Sequence, residues 1–214
     1  MAIEDPAGTI AVLFSSEAAR YSGFMRDLDH VKAPPGTVKD FGIGPDRALL
    51  MDDIVERALA AGSYWVWFVD EDLAFDTDVL EKLLAAPDGI VAPIVLNREE
   101  PYYPDVFVGR HRTGELIPLA LNDIAGPDTA IEIIAAGTSG LLVRRAVFEE
   151  VGASWFAEGT EDLFTRALDA GFTAMAITSA RIGTRLTATM RPAFVGGRWH
   201  VAIDELGSSA PLRH

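Results

Sequence analysis

The sequence predicts an α/β sandwich with helices on both faces of a mainly parallel central sheet. Three observations carry this. Runs such as Ser63-Tyr64-Trp65-Val66-Trp67-Phe68-Val69 and Ile90 to Leu96 are continuously apolar rather than alternating, the pattern of strands buried on both faces. Segments with apolar residues at helical spacing alternate with them through the first half of the chain. The strand-like runs also stop abruptly in polar loops, as Val69 does at Asp70-Glu71-Asp72.

Taken in order, Thr9 to Phe14 is a β-branched apolar run that opens onto Ser15-Ser16 and forms the first strand. Residues 16–30 predict a short helix. Pro34-Pro35-Gly36, Gly42 and Gly44 leave 31–45 as a weak strand between loops. From Asp46 to Ala61 the apolar positions Ala48, Leu49, Met51, Ile54, Val55, Ala58 and Leu59 predict an amphipathic helix, stopped by Gly62. Thr77 to Leu84 predicts a capped helix closed by Pro87-Asp88-Gly89. Residues 97–136 are polar and proline-interrupted, with strand-like pieces near 105–109 and 115–121 and a better strand at Ile131 to Ala135. Gly137-Thr138-Ser139-Gly140 is a tight turn and Leu141 to Val143 a short strand. Arg145 to Val151 is a helix stopped by Gly152, Glu161 to Ala170 another stopped by Gly171, and Thr173 to Thr178 a strand. Beyond residue 183 the pattern thins. The expectation is one domain over 1–205 with a mobile tail over 206–214.

Composition narrows the chemistry. The 214 residues are 49% hydrophobic and 23% charged, enough apolar material for a buried core and unlike a disordered chain. A net charge of −14 argues against nonspecific nucleic-acid binding and against anionic membrane surfaces. With no cysteine, any metal must sit on oxygen or imidazole. The acidic, proline-containing start and the lack of a long apolar run predict a soluble, cytoplasmic protein with no membrane association.

Asp70 and Asp72 leave a buried strand at its carboxyl end, where open α/β sheets bind ligands, and their spacing lets both reach one divalent cation holding a diphosphate. Acids also follow strands simply because loops are solvated. Glu161 and Asp162 at a helix start, after Trp155-Phe156, offer a general base, or else only complement the helix's positive first turn behind a Thr160 cap. Gly137 to Gly140 offers backbone amides and close approach to a ligand, or only a turn.

These pieces, in this order, resemble the nucleotide-sugar-dependent glycosyltransferases of the GT-A fold, in particular the small inverting family-two type. Ile10 to Ser16 is similar to the family's first strand and uracil-side loop, and Asp46-Arg47-Ala48 to its arginine-bearing helix start. Phe68-Val69-Asp70-Glu71-Asp72-Leu73-Ala74-Phe75 is similar to its D-x-D segment. Ala136 to Arg145 resembles its G-T-G-x-L-L-I-R-R block, and Trp155-Phe156, Glu161-Asp162 and Ala170-Gly171-Phe172 resemble its later acidic block.

The resemblance implies a metal-dependent transferase that moves a sugar from a nucleoside-diphosphate sugar donor to a hydroxyl acceptor with inversion. Phe14, Ser15, Ser16, Arg47, Asp70, Glu71, Gly137, Thr138, Ser139 and Trp155 would hold the nucleotide sugar. Asp70 and Asp72 would hold Mn²⁺ or Mg²⁺, Asp162 would deprotonate the acceptor, and Glu161 would assist or orient it. Where the family often carries Gly-His as a further metal ligand, this chain has Gly183-Thr184, so His200 or water takes that place. Tyr102, Tyr103, Trp155 and Trp199 are candidates for stacking on rings. The acceptor is expected to be soluble: a protein side chain, a small glycan or a modified nucleobase. Two alternatives remain: a noncatalytic nucleotide or nucleotide-sugar binding protein of the same fold, and a nucleotidyltransferase, disfavoured because Ser15-Ser16-Glu17-Ala18-Ala19 lacks a glycine-rich basic loop.

Overall fold

The computed structural model describes residues 6–15, 22–97, 102–185 and 188–205. The expected helix start at 16–21, Ser16 with it, and the tail at 206–214 lie outside the described residues.

The elements are β1 (Thr9–Phe14), α1 (Ser22–His30), β2 (Val38–Ile43), α2 (Arg47–Ala60), β3 (Trp65–Asp70), β4 (Leu73–Phe75), α3 (Val79–Leu84), β5 (Ile90–Val95), β6 (Val106–Arg110), β7 (Leu116–Pro118), a 3₁₀ turn (Leu121–Asp123), β8 (Ala130–Glu132), β9 (Ala135–Ala136), β10 (Leu142–Arg144), α4 (Arg145–Val151), α5 (Thr160–Asp169), β11 (Ala174–Arg185), β12 (Ala188–Val195) and β13 (Arg198–Glu205). The main sheet runs β13-β12-β11-β5-β10-β3-β1-β2, with β4 and β8 pairing β11, and a small sheet runs β7-β6-β9.

Pairing is parallel between β2 and β1, β1 and β3, and β5 and β11. The central sheet is mixed, however, because β10 lies antiparallel between β3 and β5. Only three residues long, β10 follows the Gly137–Gly140 turn directly, so the chain re-enters the sheet with no crossover helix to align it.

Alternation along each buried strand sorts the core into two layers. Ile10, Val12 and Phe14 of β1 and Trp65, Trp67 and Val69 of β3 pack on one face with α1 and α3. Ala11, Leu13, Val66 and Phe68 pack on the other with α2, α4 and α5. All six residues of β1, β3 and β5 are buried, so continuous apolar sequence and two-faced burial coincide.

Helix ends follow their caps. Asp46 caps α2 by accepting a hydrogen bond from the Leu49 amide at 3.1 Å, and Gly152 ends α4 with φ 76°. Two expectations differ: the helix expected as capped over Thr77 to Leu84 has Asp78 at its head, which makes no capping bond and pairs instead with Lys82 at 2.9 Å, and Gly159 with φ 90°, not Thr160, precedes the first turn of α5.

The expected strand at 131–135 is split between the two sheets. Ile133 donates to the Ala174 carbonyl beside β11, whereas Ile134 donates to the Phe107 carbonyl of β6. The strand expected at 173–178 continues to Arg185 through an irregularity between Ile177 and Arg181. The thin pattern beyond 183 hides a hairpin, β12 and β13, turned by Gly196 and Gly197 at φ 61° and 78°.

Gly140 shows how the fold fixes the turn before β10. Its amide donates to Phe68 and its carbonyl accepts from the Trp67 indole, each at 2.9 Å. Its φ is 80°, and a Cβ there would lie 2.6 Å from Pro93 and 2.7 Å from Ile182. Gly140→Ala is therefore expected to destabilise the protein by about 1–3 kcal/mol through overpacking, with left-handed backbone strain added, read as a lower urea midpoint by tryptophan fluorescence.

Candidate functional site

The carboxyl ends of β1 and β3 open into a cleft of ≈ 780 Å³. Its walls come from separate parts of the chain: Phe14 and Ser15 after β1, Arg47 at the head of α2, Asp70 to Asp72 after β3, Asp105 before β6, and Gly137 to Ser139 before β10. A smaller recess of ≈ 150 Å³ adjoins it, sharing Asp72, Asp105 and Ser139 and adding Thr184.

Asp70 is the hub. It is 9% exposed, accepts a hydrogen bond from the Ser139 hydroxyl at 2.5 Å on one oxygen, and is ion-paired with Arg47 on the other. The Arg47 guanidinium also donates to the Thr138 hydroxyl, at 2.9 Å from Nε and 2.6 Å from a terminal nitrogen. Fixed planar donors of this kind suit carboxylate and phosphate oxygens alike. Glu71 turns away from this pair and ties the loop after β1: one oxygen accepts from the Ser15 amide at 3.2 Å and hydroxyl at 2.7 Å. Its other oxygen is buried with no hydrogen-bond partner.

Asp105 was not legible as a site residue, because an acid inside a polar, proline-interrupted segment looks like any solvated loop acid. Its backbone is clamped between the Val95 carbonyl, which accepts from its amide at 2.9 Å, and the Gly137 amide, which donates to its carbonyl at 3.0 Å. A Cβ on residue 137 would lie 1.7 Å from an Asp105 carboxylate oxygen, so any larger residue there would push the carboxylate out of its present position. Burial pushes the Asp105 carboxyl above its ordinary value, with no neighbouring cation acting against it.

The fold does not bring every expected residue to the cleft. Trp155 is buried in the core, donates to the Phe148 carbonyl at 2.9 Å and packs edge-on to Phe148. Trp199 is likewise buried, donating to Ile124 at 3.2 Å. His200 is exposed on β13 opposite Ala193 and lines neither cavity. At the head of α5, Thr160 lines the cleft but Glu161 and Asp162 do not. Glu161 pairs with Arg110 at 2.5 Å and Asp162 with Arg166 at 2.7 Å. Arg166 also donates to the Val151, Ser154 and Trp155 carbonyls, anchoring α5 to the chain after α4. Asp52 of α2 braces the same stretch by accepting from the Phe156 amide at 3.0 Å, and burial raises its carboxyl above the ordinary value despite that bond.

The chain trace has a solved counterpart. The structure described as "Crystal Structure of A197 from STIV" matches with a TM-score of 0.61, covering 97% of this chain and 98% of that one at 13% sequence identity. At that identity the likeness is one of fold alone. No protein-family model matches the chain, and no curated protein matches it.

The donor set can be tested against a divalent ion. The described lining of the cleft carries four carboxylates, Asp70, Glu71, Asp72 and Asp105, against one guanidinium, Arg47, a formal charge of −3. A polyphosphate entering such a site meets repulsion unless a cation accompanies it. Among the described residues no three His, Asp or Glu side chains converge as a metal-holding group. Mg²⁺ typically needs only one or two carboxylates with waters and phosphate oxygens, and Mn²⁺ also takes oxygen donors, so the residues present fit an ion that arrives with its substrate.

The raised Asp105 carboxyl predicts a pH signature. A group whose folded value exceeds its unfolded one favours folding while protonated, and that contribution is lost as pH climbs through the raised value. In EDTA, Asp105→Asn is expected to raise Tm at about pH 8, with the gain shrinking as the pH falls and the native carboxyl takes up its proton. Equal melting of the two proteins across that range would contradict it.

Proposed function

We propose that the protein is a metal-dependent glycosyltransferase that moves a sugar from a nucleoside-diphosphate sugar to a hydroxyl on a soluble acceptor, with inversion, on a GT-A type of fold. One observation carries the reading. Arg47, Asp70, Asp72, Thr138 and Ser139, from three separate motifs of the resemblance, line a single cleft at the carboxyl edge of the sheet. Ligands of open α/β sheets bind at that edge.

In this reading the loop after β1 and the Gly137–Ser139 turn flank the nucleotide and diphosphate. Ser15 and Thr138 offer hydroxyls, and Gly137 lets the chain approach closely. Arg47 is 41% exposed at its side chain, so its guanidinium can serve a phosphate oxygen while Asp70 keeps it aimed into the cleft. Asp70 is thus a positioning residue for Arg47, and Asp72, which lines both the cleft and the adjoining recess, is the carboxylate assigned to Mn²⁺ or Mg²⁺. Such an ion, when bound, supplies neutralising charge for the departing diphosphate. Fixed positive charge at the leaving group lowers the barrier because it is in place before the bond breaks.

The acceptor's proton is assigned to the head of α5. Thr160 borders the cleft, and Asp162 follows two residues later with Arg166 holding one carboxylate oxygen. Glu161 orients the acceptor. The engagement of both acids by arginines outside the cleft also favours a second reading, a noncatalytic nucleotide-sugar binding protein. Turnover separates the two. Release of nucleoside diphosphate from a bound nucleotide sugar supports the enzyme, and binding without release supports the module.

Titration calorimetry with a panel of nucleoside diphosphates in Mn²⁺ tests the reading. One of them is expected to bind. Arg47→Ala should weaken it by about 10–100-fold, the equivalent of one or two lost charge-assisted hydrogen bonds. A folded protein that binds none of the panel would end the proposal.

A further inference from the structure

We infer that Asp105 is the second carboxylate for the divalent ion, acting with Asp72 and the Thr184 hydroxyl in the recess where the family resemblance expects a histidine. The inference rests on the proposed function but names a ligand that none of the motifs behind it contains.

Three observations converge on the recess. First, position 184 belongs there. Thr184 pairs with Leu73 across the β11–β4 ladder, next in sequence to Asp72, and lines the recess with Asp72, Asp105 and Ser139. The backbone thus delivers residue 184 to the metal side of the cleft, but its side chain is a threonine. Second, Thr184 is 3% exposed and its little remaining surface faces the recess, and no hydrogen bond to its hydroxyl is found among the described residues. A hydroxyl so placed keeps its oxygen lone pairs for whatever enters the recess. Third, the Asp105 carboxylate has no ion-pair or hydrogen-bond partner among the described residues, although Gly137 leaves it space and the backbone clamp holds it at the mouth of the recess.

A hard cation answers all three. Two carboxylates and a hydroxyl are oxygen donors, and ≈ 150 Å³ holds an ion with a few waters. Asp70 is unsuited to this place because Arg47 and Ser139 engage both its oxygens. His200 lies on β13, exposed and outside the recess. Oxygen in place of imidazole also shifts preference toward Mg²⁺ or Mn²⁺ and away from softer ions.

The test follows Mn²⁺ binding by loss of its free EPR signal, first with Mn²⁺ alone and then with pyrophosphate present, so that no nucleotide need be identified. Asp105→Asn and Asp72→Asn are each expected to weaken Mn²⁺ binding by about 10-fold or more. Thr184→Val should weaken it less, and His200→Ala should leave it unchanged. In the Asp105→Asn background, Thr184→His is expected to restore affinity by returning a ligand to the recess. Circular dichroism and melting curves check folding, and Thr184→Val serves as the independent arm should Asp105→Asn fail to fold. Wild-type affinity in folded Asp105→Asn, or dependence on His200, overturns the inference. If Asp72→Asn loses Mn²⁺ while Asp105→Asn does not, the inference falls and the proposed function stands. If the native protein takes up no Mn²⁺ even with pyrophosphate, both fall.

Discussion

The site depends on one desolvated carboxylate. Asp70 is nearly buried at the end of β3, and burying a carboxylate is costly without partners for its oxygens. Arg47 from α2 and Ser139 from the turn before β10 meet that need, and Arg47 reaches Thr138 with two further donors. Three segments far apart in sequence are thereby tied to one strand end. Removing Asp70 would leave the Arg47 guanidinium without its ion pair and Ser139 without its acceptor.

The second constraint is an excess of negative charge. Beside the paired Asp70, the cleft carries Glu71, Asp72 and Asp105, and a protein of net charge −14 offers little help from its surroundings. Glu71 is partly spent on Ser15, with one oxygen left buried and unmatched. Such an arrangement is unfavourable in isolation, and on the proposed reading a cation entering with its anionic partner would relieve it, so that ligand binding would stabilise this region.

Much of this was legible in the sequence where local pattern and burial agree. The runs Thr9–Phe14, Trp65–Asp70 and Ile90–Val95 are continuously apolar because both their faces are covered, so pattern alone located the sheet's centre. Asp46 and Gly62 bracketed α2 by capping chemistry that needs no tertiary context. The motifs around Arg47, Asp70, Asp72 and Ser139 also converge on one cleft. What the sequence hid depends on long-range pairing. The direction of β10 is set by its neighbours, and Ile133 and Ile134 pair with different sheets although nothing in their side chains differs. The β12–β13 hairpin was missed because Pro192 and charged residues blur its alternation, although Gly196-Gly197 is a recognisable two-residue turn. Trp155 was a candidate through its place in the motif resemblance and for its ring, and His200 as a stand-in for the family's missing metal histidine. Their fates, core and exposed strand, follow from packing that type does not encode.

The split at Ile133 and Ile134 bears on how rigidly the two halves of the cleft are joined. Adjacent amides bond to β-structure in different sheets, so the small sheet is joined to the large one across two consecutive peptide units. The wall that carries Asp105 cannot drift from the wall that carries Asp72 without breaking ladder bonds on one side. Were an ion to bridge the two walls as proposed, a spacing held by ladder bonds on both sides would favour ions whose radius matches the gap.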